Sequence, residues 1–280
     1  MPSLHPPNMA SAAFHPFRIT AVRELNACVR LVRAEQVLAD PGGSRLRFRP
    51  GQWADVALGA AEAQARRQRQ PAAASVGVGG YSFISAPESL PAVEFAIQRE
   101  AERGDAGDAP AVTSMTRWIH SGDCREGVEL QLRAGGRFVL QPVRAGEAPE
   151  KLMLVAAGIG ITPFLSFLRS SVNAEPASSA GALLSHVSLL YSVRGVSERG
   201  VCVKELEELH HQHGLHLRLF DTAIAGRISR ETLAEARESS KIYLCGPPDF
   251  SAGLERVLVQ ELSVPRERVH YENWWDPPQH

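Results

Sequence analysis

Two glycines separated by one residue follow an apolar run near the middle of the chain, an arrangement suited to holding a phosphate. The run Leu152–Ala157 ends at Gly158, where the chain can turn tightly, and Gly160 lets backbone N–H groups approach a pyrophosphate. Pro163 suits the first turn of a helix, where its missing N–H would have no partner. The pattern predicts a strand, a phosphate-binding turn and a helix, although a glycine-rich turn that binds no nucleotide would look similar.

The turn differs from the fingerprint of ordinary Rossmann dehydrogenases. Pro163 stands where a third glycine is expected, and the next apolar strand ends with residues 191–194 without an acid for the ribose of NAD. Arg194 closes that strand, and together with Arg199 it is a candidate for binding the 2′-phosphate of NADP. Both arginines could equally be solvated surface charges, so we write the nucleotide as NAD(P).

A cysteine followed by Gly-Pro-Pro ends a later apolar run. Cys245 terminates the predicted strand, and Gly246 and Pro247 come next. Open α/β sheets bind ligands beyond the carboxyl ends of their strands, so this position favours a functional site. The alternative is a structural cysteine, because free cysteine is among the most buried residue types.

The two halves of the chain have different periodicities, and these predict the elements that position the motifs. Residues 17–146 contain short alternating apolar runs separated by glycine and proline turns, which predicts an antiparallel β-barrel. Residues 150–280 contain buried apolar runs separated by helical patterns, which predicts a doubly wound parallel α/β unit. Residues 1–16 are expected to be a disordered or targeting tail. The Ala-rich segments 60–80 and 170–182 are expected to be flexible surface insertions.

Composition excludes several classes of function. The 280 residues contain 30 Lys and Arg against 31 Asp and Glu, so no field exists that would attract nucleic acid. Glycine and proline interrupt the apolar stretch 152–168, so we expect no membrane span. The 4 cysteines are far apart and form no CxxC, which predicts neither disulfides nor zinc and indicates a reducing intracellular compartment, mitochondrial or cytosolic. His210 and His213 share a predicted helix face, but nothing completes a metal site, and we expect none.

Together these motifs resemble the ferredoxin-NADP reductase superfamily. The run from Gly158 to Pro163 matches its GxGxxP, Cys245 begins a CGP, and Tyr81-Ser82 matches the second half of its RxYS. The segments PGQW from Pro50, GGYS from residue 79 and ENWW from residue 272 are similar to the oxidoreductase NAD-binding domain-containing proteins. The resemblance extends over about residues 18–275. It implies a barrel that binds FAD, followed by an α/β unit that binds NAD(P)H.

The resemblance assigns the flavin ring to Tyr81 and Ser82. Tyr81 would stack on the ring and Ser82 would hydrogen-bond the flavin N5, which receives hydride. Taken alone, Tyr81 would be interpreted as a core residue of a strand. The adjoining serine and the downstream motifs favour the flavin.

The flavin phosphate site departs from the superfamily pattern. The arginine two residues before the tyrosine is replaced by Gly79, which removes a charge-assisted hydrogen bond worth about 1.5–3 kcal/mol. Arg99 or Arg117 could substitute for it, and Thr116 matches the phosphate-binding serine of the superfamily. We therefore expect FAD to bind, but more weakly.

The resemblance also identifies residues around the nicotinamide. The Cys245 sulfur would approach the C4 carbon and set the hydride angle, Glu272 would tune the flavin, and Trp274 would cover the flavin face and move aside for nicotinamide. A simple anchoring role for the tail is the alternative for Trp274. The residues that would contact the dinucleotide are Gly158, Ile159, Gly160, Thr162, Pro163, Arg194, Gly246 and Pro247, while Trp274 would contact the flavin.

The resulting hypothesis is a monomeric NAD(P)H-dependent flavoprotein oxidoreductase in which Ser82, Cys245 and Glu272 are catalytic. Hydride would pass from NAD(P)H to FAD, and electrons would then leave to an unidentified acceptor, either a separate protein or a diffusible oxidant. The alternative is a degenerate nucleotide-binding or interaction protein that has lost flavin turnover, which the glycine at position 79 and the long insertion favour.

Overall fold

The structure, a computed structural model, describes residues 13–38, 44–69, 75–100, 112–140, 150–173, 184–224 and 226–272. They form a six-stranded antiparallel sheet followed in the chain by a five-stranded parallel sheet with flanking helices. The predicted fold class, a β-barrel followed by a parallel α/β unit, is therefore confirmed. We call the first part the barrel unit and the second the α/β unit.

The barrel unit places the Tyr81-Ser82 strand at the edge of its sheet, beside the strand that begins with Trp53. The strand order is β5-β3-β8-β1-β2-β6, and β4 and β7 pair separately. The elements are β1 (His15–Asn26), β2 (Val29–Gln36), β3 (Trp53–Leu58), α1 (Ala60–Arg69), β4 (Ser75–Val76), β5 (Gly79–Ser82), β6 (Ala92–Gln98), β7 (Val112–Thr113), α2 (Met115–Ile119) and β8 (Glu129–Gly135). Alternate strand residues such as Phe17 and Ile19 fill its core, as period-2 patterning requires.

The α/β unit has its switch in strand order between the two motifs that the sequence marked. The order is β11-β10-β9-β12-β13, so the chain moves one way from β9 and returns to the other side at β12. The elements are β9 (Leu152–Ala157), α3 (Thr162–Asn173), β10 (Val187–Val193), α4 (Val196–Arg199), α5 (Val203–His213), β11 (His216–Asp221), β12 (Lys241–Cys245), α6 (Pro248–Arg256) and β13 (Val269–Tyr271). Ligands of such sheets bind beyond the carboxyl ends of the strands at this switch point.

One continuous apolar core joins the two units. Ile84 and Phe138 of the barrel unit belong to the same buried cluster as Phe164 and Leu165 of α3. The rings of Phe138 and Phe164 lie 6.0 Å apart, and the ring of Tyr243 meets Phe138 edge-on at 5.5 Å. Each buried aromatic contributes about 1.5–3 kcal/mol of apolar burial, so this contact fixes the orientation of the two units.

One expectation about local structure was wrong, and one boundary shifts by two residues. The segment 60–80 was expected to be a flexible insertion, but it contains the helix α1, the strand β4 and the start of β5. The helix forms because alanine, glutamine and arginine are good helix formers. The first strand begins at His15, inside the segment expected to be a tail. Within the described ranges, no helix is long and apolar enough to cross a bilayer. Nor do three or more potential metal ligands come together there.

Candidate functional site

The glycine-rich turn leaves β9 toward open space. Gly158 has a φ of +54°, and a side chain there would meet nothing within 4 Å. A 3₁₀ turn, Gly158–Ile161, then leads directly into α3, and the Thr162 hydroxyl donates to the carbonyl of Ile159 at 2.9 Å. Pro163 lies buried in the first turn of α3, as predicted from its missing N–H. The turn and helix start therefore present an open cradle, and because the first N–H groups of a helix have no partner within it, such a place suits a pyrophosphate.

Gly160 brings this turn into contact with Cys245. A Cβ atom at Gly160 would lie 2.5 Å from the carbonyl carbon of Cys245 and 2.8 Å from the amide nitrogen of Gly246, closer than real Cβ atoms approach. Cys245 pairs in register with Ala156 because β12 lies beside β9. Only a glycine allows this backbone contact, which places the two predicted motifs side by side.

The Cys245 thiol is held in its protonated form. Its side chain is buried, with a relative exposure of 3%. Burial raises the pKa of the thiol well above its ordinary value, and the nearby Glu272 charge raises it further. A neutral thiol is a poor nucleophile, so this environment suits a spacer beside the nicotinamide. Gly246 lies buried next to it, and Pro247 is exposed at the start of α6.

Glu272 adds a carboxyl group to this cluster from the far edge of the sheet. It follows β13, and its backbone N–H donates to the carbonyl of Leu244 at 3.4 Å. Burial raises the pKa of its carboxyl to about 7, while a hydrogen bond from Trp53 opposes the rise. The carboxyl can thus hold a proton near neutral pH.

Trp53 is a site residue for which the sequence predicted no role. It begins β3, pairs in register with Ser82 of β5, and packs its indole against Gly136 of the segment after β8. Its N–H reaches across to Glu272 in the α/β unit. The signal was present in the PGQW segment, but the sequence does not show where the indole points.

Tyr81 and Thr116 meet although 35 residues separate them. The phenol oxygen of Tyr81 and the hydroxyl of Thr116, on α2, lie 2.9 Å apart within hydrogen-bonding distance. Burial raises the pKa of the Tyr81 phenol, so it stays neutral. A Cβ atom at Gly79 would lie 2.5 Å from the Tyr81 oxygen and 2.8 Å from the Cβ of Met115. Gly79 therefore provides the space into which the tyrosine folds.

The two arginines predicted to replace the phosphate-binding arginine of the superfamily lie on the surface. Arg99 is exposed just beyond β6, where its backbone N–H donates to Cys28, and Arg117 is exposed on α2. Among the described hydrogen bonds, none joins either side chain to Tyr81. Trp274 falls outside the described residues.

The end of β10 is organised by an acid that the sequence analysis missed. Arg194 is exposed there, followed by Gly195 with a φ of +75°. The carboxylate of Asp221, at the end of β11, accepts hydrogen bonds from the backbone N–H groups of Val196 and Gly195, each at 2.9 Å, which lowers its pKa. The second strand of the α/β unit thus ends without an acid, as the sequence indicated, and the acid beside this turn comes from the third strand, with its carboxylate bonded to backbone N–H groups.

Comparisons with known proteins agree with this arrangement. Residues 149–223 match the family model of the ferric reductase NAD binding domain. The chain is similar to oxidoreductase NAD-binding domain-containing protein 1 of Bos taurus, with 29% identity over 250 residues, covering 81% of this chain and 72% of that protein.

Solved structures share the fold of both units. The flavohem-like FAD/NAD binding domain of nitric oxide dioxygenase from Vibrio cholerae O1 biovar El Tor aligns at a TM-score of 0.69 with 20% identity, over 93% of this chain and 98% of that chain. An intact type IV self-sufficient cytochrome monooxygenase aligns at 0.68 with 18% identity over 95% of this chain, which spans only 29% of that longer protein. The matched nucleotide-binding segment, the curated relatives and the shared two-unit fold all agree with the resemblance of the chain to the ferredoxin-NADP reductase superfamily.

Proposed function

We propose that this protein is a flavin-dependent oxidoreductase that takes hydride from NAD(P)H. One chain of contacts carries the proposal. Ser82 pairs with Trp53, Trp53 donates to Glu272, and the charge of Glu272 is felt by Cys245. Cys245 in turn packs against Gly160. These contacts support the proposal because they link a residue expected beside a flavin, Ser82, to one expected beside a nicotinamide nucleotide, Cys245.

The residues present fit FAD and a nicotinamide dinucleotide. Tyr81 and Thr116 offer two adjacent hydroxyl groups, and Ser82 follows on the half-buried edge strand β5. Gly158 offers an open cradle with a positive φ. When bound, FAD supplies the isoalloxazine that accepts hydride, and NAD(P)H supplies the donor.

The protein's own contribution is positioning and proton control. Tyr81 and Thr116 orient the flavin, and the Gly158–Ile161 turn binds the pyrophosphate of the dinucleotide. The neutral Cys245 excludes water from its buried strand end. Glu272, with a carboxyl pKa of about 7, holds a proton at its carboxyl oxygen, and Trp53 fixes that carboxyl.

The remaining assignments belong to the same proposal. Residues 17–146 are the FAD-binding domain and residues 150–280 the NAD(P)-binding domain of a monomer. Electrons leave to a separate protein or a diffusible oxidant. All four cysteines are free, which supports a reducing intracellular compartment, mitochondrial or cytosolic.

The experiment is a spectroscopic titration. The purified protein is mixed with FAD, its visible spectrum is recorded, and NADH or NADPH is added anaerobically. We expect FAD to bind and its absorption band to bleach. A colourless protein that binds nicotinamide nucleotide but never FAD would support the degenerate alternative, which the glycine at position 79 favours.

The same titration ranks the two nucleotides. Arg194→Ala should weaken NADPH binding and leave NADH binding unchanged, because only NADPH carries the 2′-phosphate. An unchanged preference would remove Arg194 from the nucleotide site.

A further inference from the structure

One face of α3 links two parts of the proposed site. They are the turn Gly158–Ile161, which we call the nucleotide turn, and β5 with Tyr81 and Ser82, which we call the flavin strand. This face begins at Ser166, and Arg169 and Ser170 follow it by three and four residues, the spacings that place side chains on the same face of a helix. Every barrel-unit partner of these side chains lies in the segment 84–94, which begins two residues after Ser82. The face is therefore directed at the continuation of β5.

Each of the two serines donates a hydrogen bond to the segment 84–94. The Ser166 hydroxyl donates to the carbonyl of Ser85 at 2.7 Å, in a fully buried position. The Ser170 hydroxyl lies 2.9 and 3.0 Å from the two carboxylate oxygens of Glu88 and donates to that group. Both serine side chains are buried, so these bonds are protected from competition with water.

Arg169 lies between them and bridges three elements. One guanidinium nitrogen donates to the carbonyl of Ile84 at 2.9 Å and to the carboxylate of Glu94, on β6, at 3.2 Å. Its other two nitrogens donate to the carboxylate of Glu205, on α5, at 2.6 and 2.7 Å. This bidentate geometry is the strong, directional form of an arginine–carboxylate pair.

The surroundings keep this pairing charged and partly shielded. The side chains of Arg169 and Glu94 are 22% and 20% exposed, and a cavity of about 370 Å³ lies beside them. Burial alone would lower the pKa of Arg169, but the hydrogen bonds and charge of Glu205 outweigh it, so the pKa is raised. Arg169 therefore remains a cation throughout the physiological range.

The position of Arg169 along the chain gives this contact a consequence for chemistry. α3 starts at Thr162, directly after the glycine-rich turn, and Arg169 lies seven residues later, about 10 Å along the helix axis. Ile84 lies two residues after Ser82, about 7 Å along the extended chain. One side chain thus ties the helix that carries the nucleotide turn to the segment that carries the flavin residues.

We propose that Arg169 is a positioning residue for hydride transfer, which fixes the distance between the nucleotide turn and the Tyr81-Ser82 strand through Ile84, Glu94 and Glu205. This inference rests on the proposed function. It predicts that loss of Arg169 slows the chemical step more than it weakens either cofactor, because a displacement of about 1 Å can cost 10²-fold in rate.

The test compares Arg169→Met with Arg169→Lys and with Arg218→Met. Arg218 is a matched control because its ion pair with Glu235, at 3.5 Å, lies wholly inside the α/β unit. FAD and nucleotide affinities are measured by titration. The rate of flavin reduction at saturating NADH and the long-wavelength charge-transfer absorption are measured by anaerobic stopped flow.

Arg169→Met should reduce the saturating rate about 10–100-fold and weaken the charge-transfer absorption, with both dissociation constants within about threefold of wild type. Arg169→Lys should recover part of the rate, and Arg218→Met should resemble wild type. A folded Arg169→Met variant that keeps its rate within twofold would overturn the proposal. So would a loss confined to nucleotide affinity, or an equal loss in Arg218→Met.

Two further measurements cover the other outcomes. If Arg169→Met does not fold, Ser170→Ala removes one bond of the same face and should slow the saturating rate about threefold, and an unchanged rate would refute the coupling. If the wild-type protein binds no FAD, the proposed function fails but the coupling is still measurable by amide hydrogen exchange. Arg169→Met should then exchange faster at Phe83 and Ile84, whose N–H groups are bonded to Gln52 and Glu94, and unchanged exchange there would refute it.

Discussion

Substitution of Gly160 by alanine should separate the two motifs that meet at the switch point of the α/β sheet. The new Cβ atom would lie 2.5 Å from the carbonyl carbon of Cys245, whereas ordinary contact begins at 3.4 Å. The turn and the end of β12 must therefore move apart by more than about 0.9 Å, because the carbonyl oxygen of Cys245 would lie closer still to the new Cβ atom. Because the atoms met are main chain on both sides, no side-chain rotation can relieve the contact, and we expect a cost of about 3 kcal/mol.

Two other glycines provide matched controls. Gly158→Ala places a side chain at a φ of +54° but against nothing within 4 Å, so it should cost only about 1–2 kcal/mol of backbone strain. Gly253→Ala, inside α6 with open space around it, should stabilise the protein by about 0.5–1 kcal/mol.

Thermal unfolding followed by circular dichroism orders the three variants. Gly160→Ala should melt roughly 6–12 °C below wild type, Gly158→Ala less far below, and Gly253→Ala slightly above. The saturating rate of flavin reduction in Gly160→Ala should also fall about 10²-fold, because Cys245 is displaced. A Gly160→Ala protein that melts at or above Gly158→Ala would refute the close backbone contact.

Three further predictions concern the flavin strand and the buried carboxyl group. Tyr81→Phe removes the hydrogen bond with Thr116 and should weaken FAD binding about fivefold, measured by flavin fluorescence, and the effect should vanish in a Thr116→Val background. Gly79→Arg restores the cation of the superfamily motif but should weaken FAD binding in the same titration, because its Cβ atom would collide with the Tyr81 oxygen and Met115; tighter binding would contradict this. Burial raises the pKa of Glu272 from 4.5 to about 7, so the folded state holds a proton that the unfolded state has released. The stability of wild type relative to Glu272→Gln should therefore fall as pH rises from about 4.5 through 7, and a difference in melting temperature that does not change with pH would exclude this shift.

The α/β unit was predictable because its motifs express requirements of the backbone itself. A turn after a buried strand needs glycine, and the first turn of a helix accepts proline, so Gly158 and Pro163 indicate local structure without help from the rest of the chain. The strands ending at Ala157 and Cys245 were predicted with their correct ends for the same reason. Asp221 was missed because it can bind the turn after β10 only when β11 lies beside β10. The residues of one strand do not reveal which other strand it pairs with.

The flavin strand was harder to interpret because its surroundings come from distant segments. Thr116 meets Tyr81 across 35 residues, and the sequence suggested a phosphate role for one and a stacking role for the other without indicating that they touch. Gly79 was interpreted as the loss of an arginine. The structure adds a steric reason, since the folded tyrosine occupies the space beside that residue.

Trp53 and Arg169 show why the junction of the two units lies beyond sequence reasoning. Each joins the barrel unit to the α/β unit, Trp53 to Glu272 and Arg169 to Glu94. Glu272 is far from Trp53 in the sequence, and Glu94 is far from Arg169. Neither Trp53 nor Arg169 interrupts a periodic pattern of apolar residues, so the sequence does not mark them as exceptional. The contact of Trp53 with Glu272 lies beside the strand end that carries Cys245. The contact of Arg169 with Glu94 starts from α3, so the two contacts join the units at different elements. Two separated points of attachment resist rotation where one would act as a pivot. Beside the apolar core that joins the two units, the distance between the nucleotide turn and the flavin strand is therefore set by a small number of side chains whose partners the sequence does not reveal.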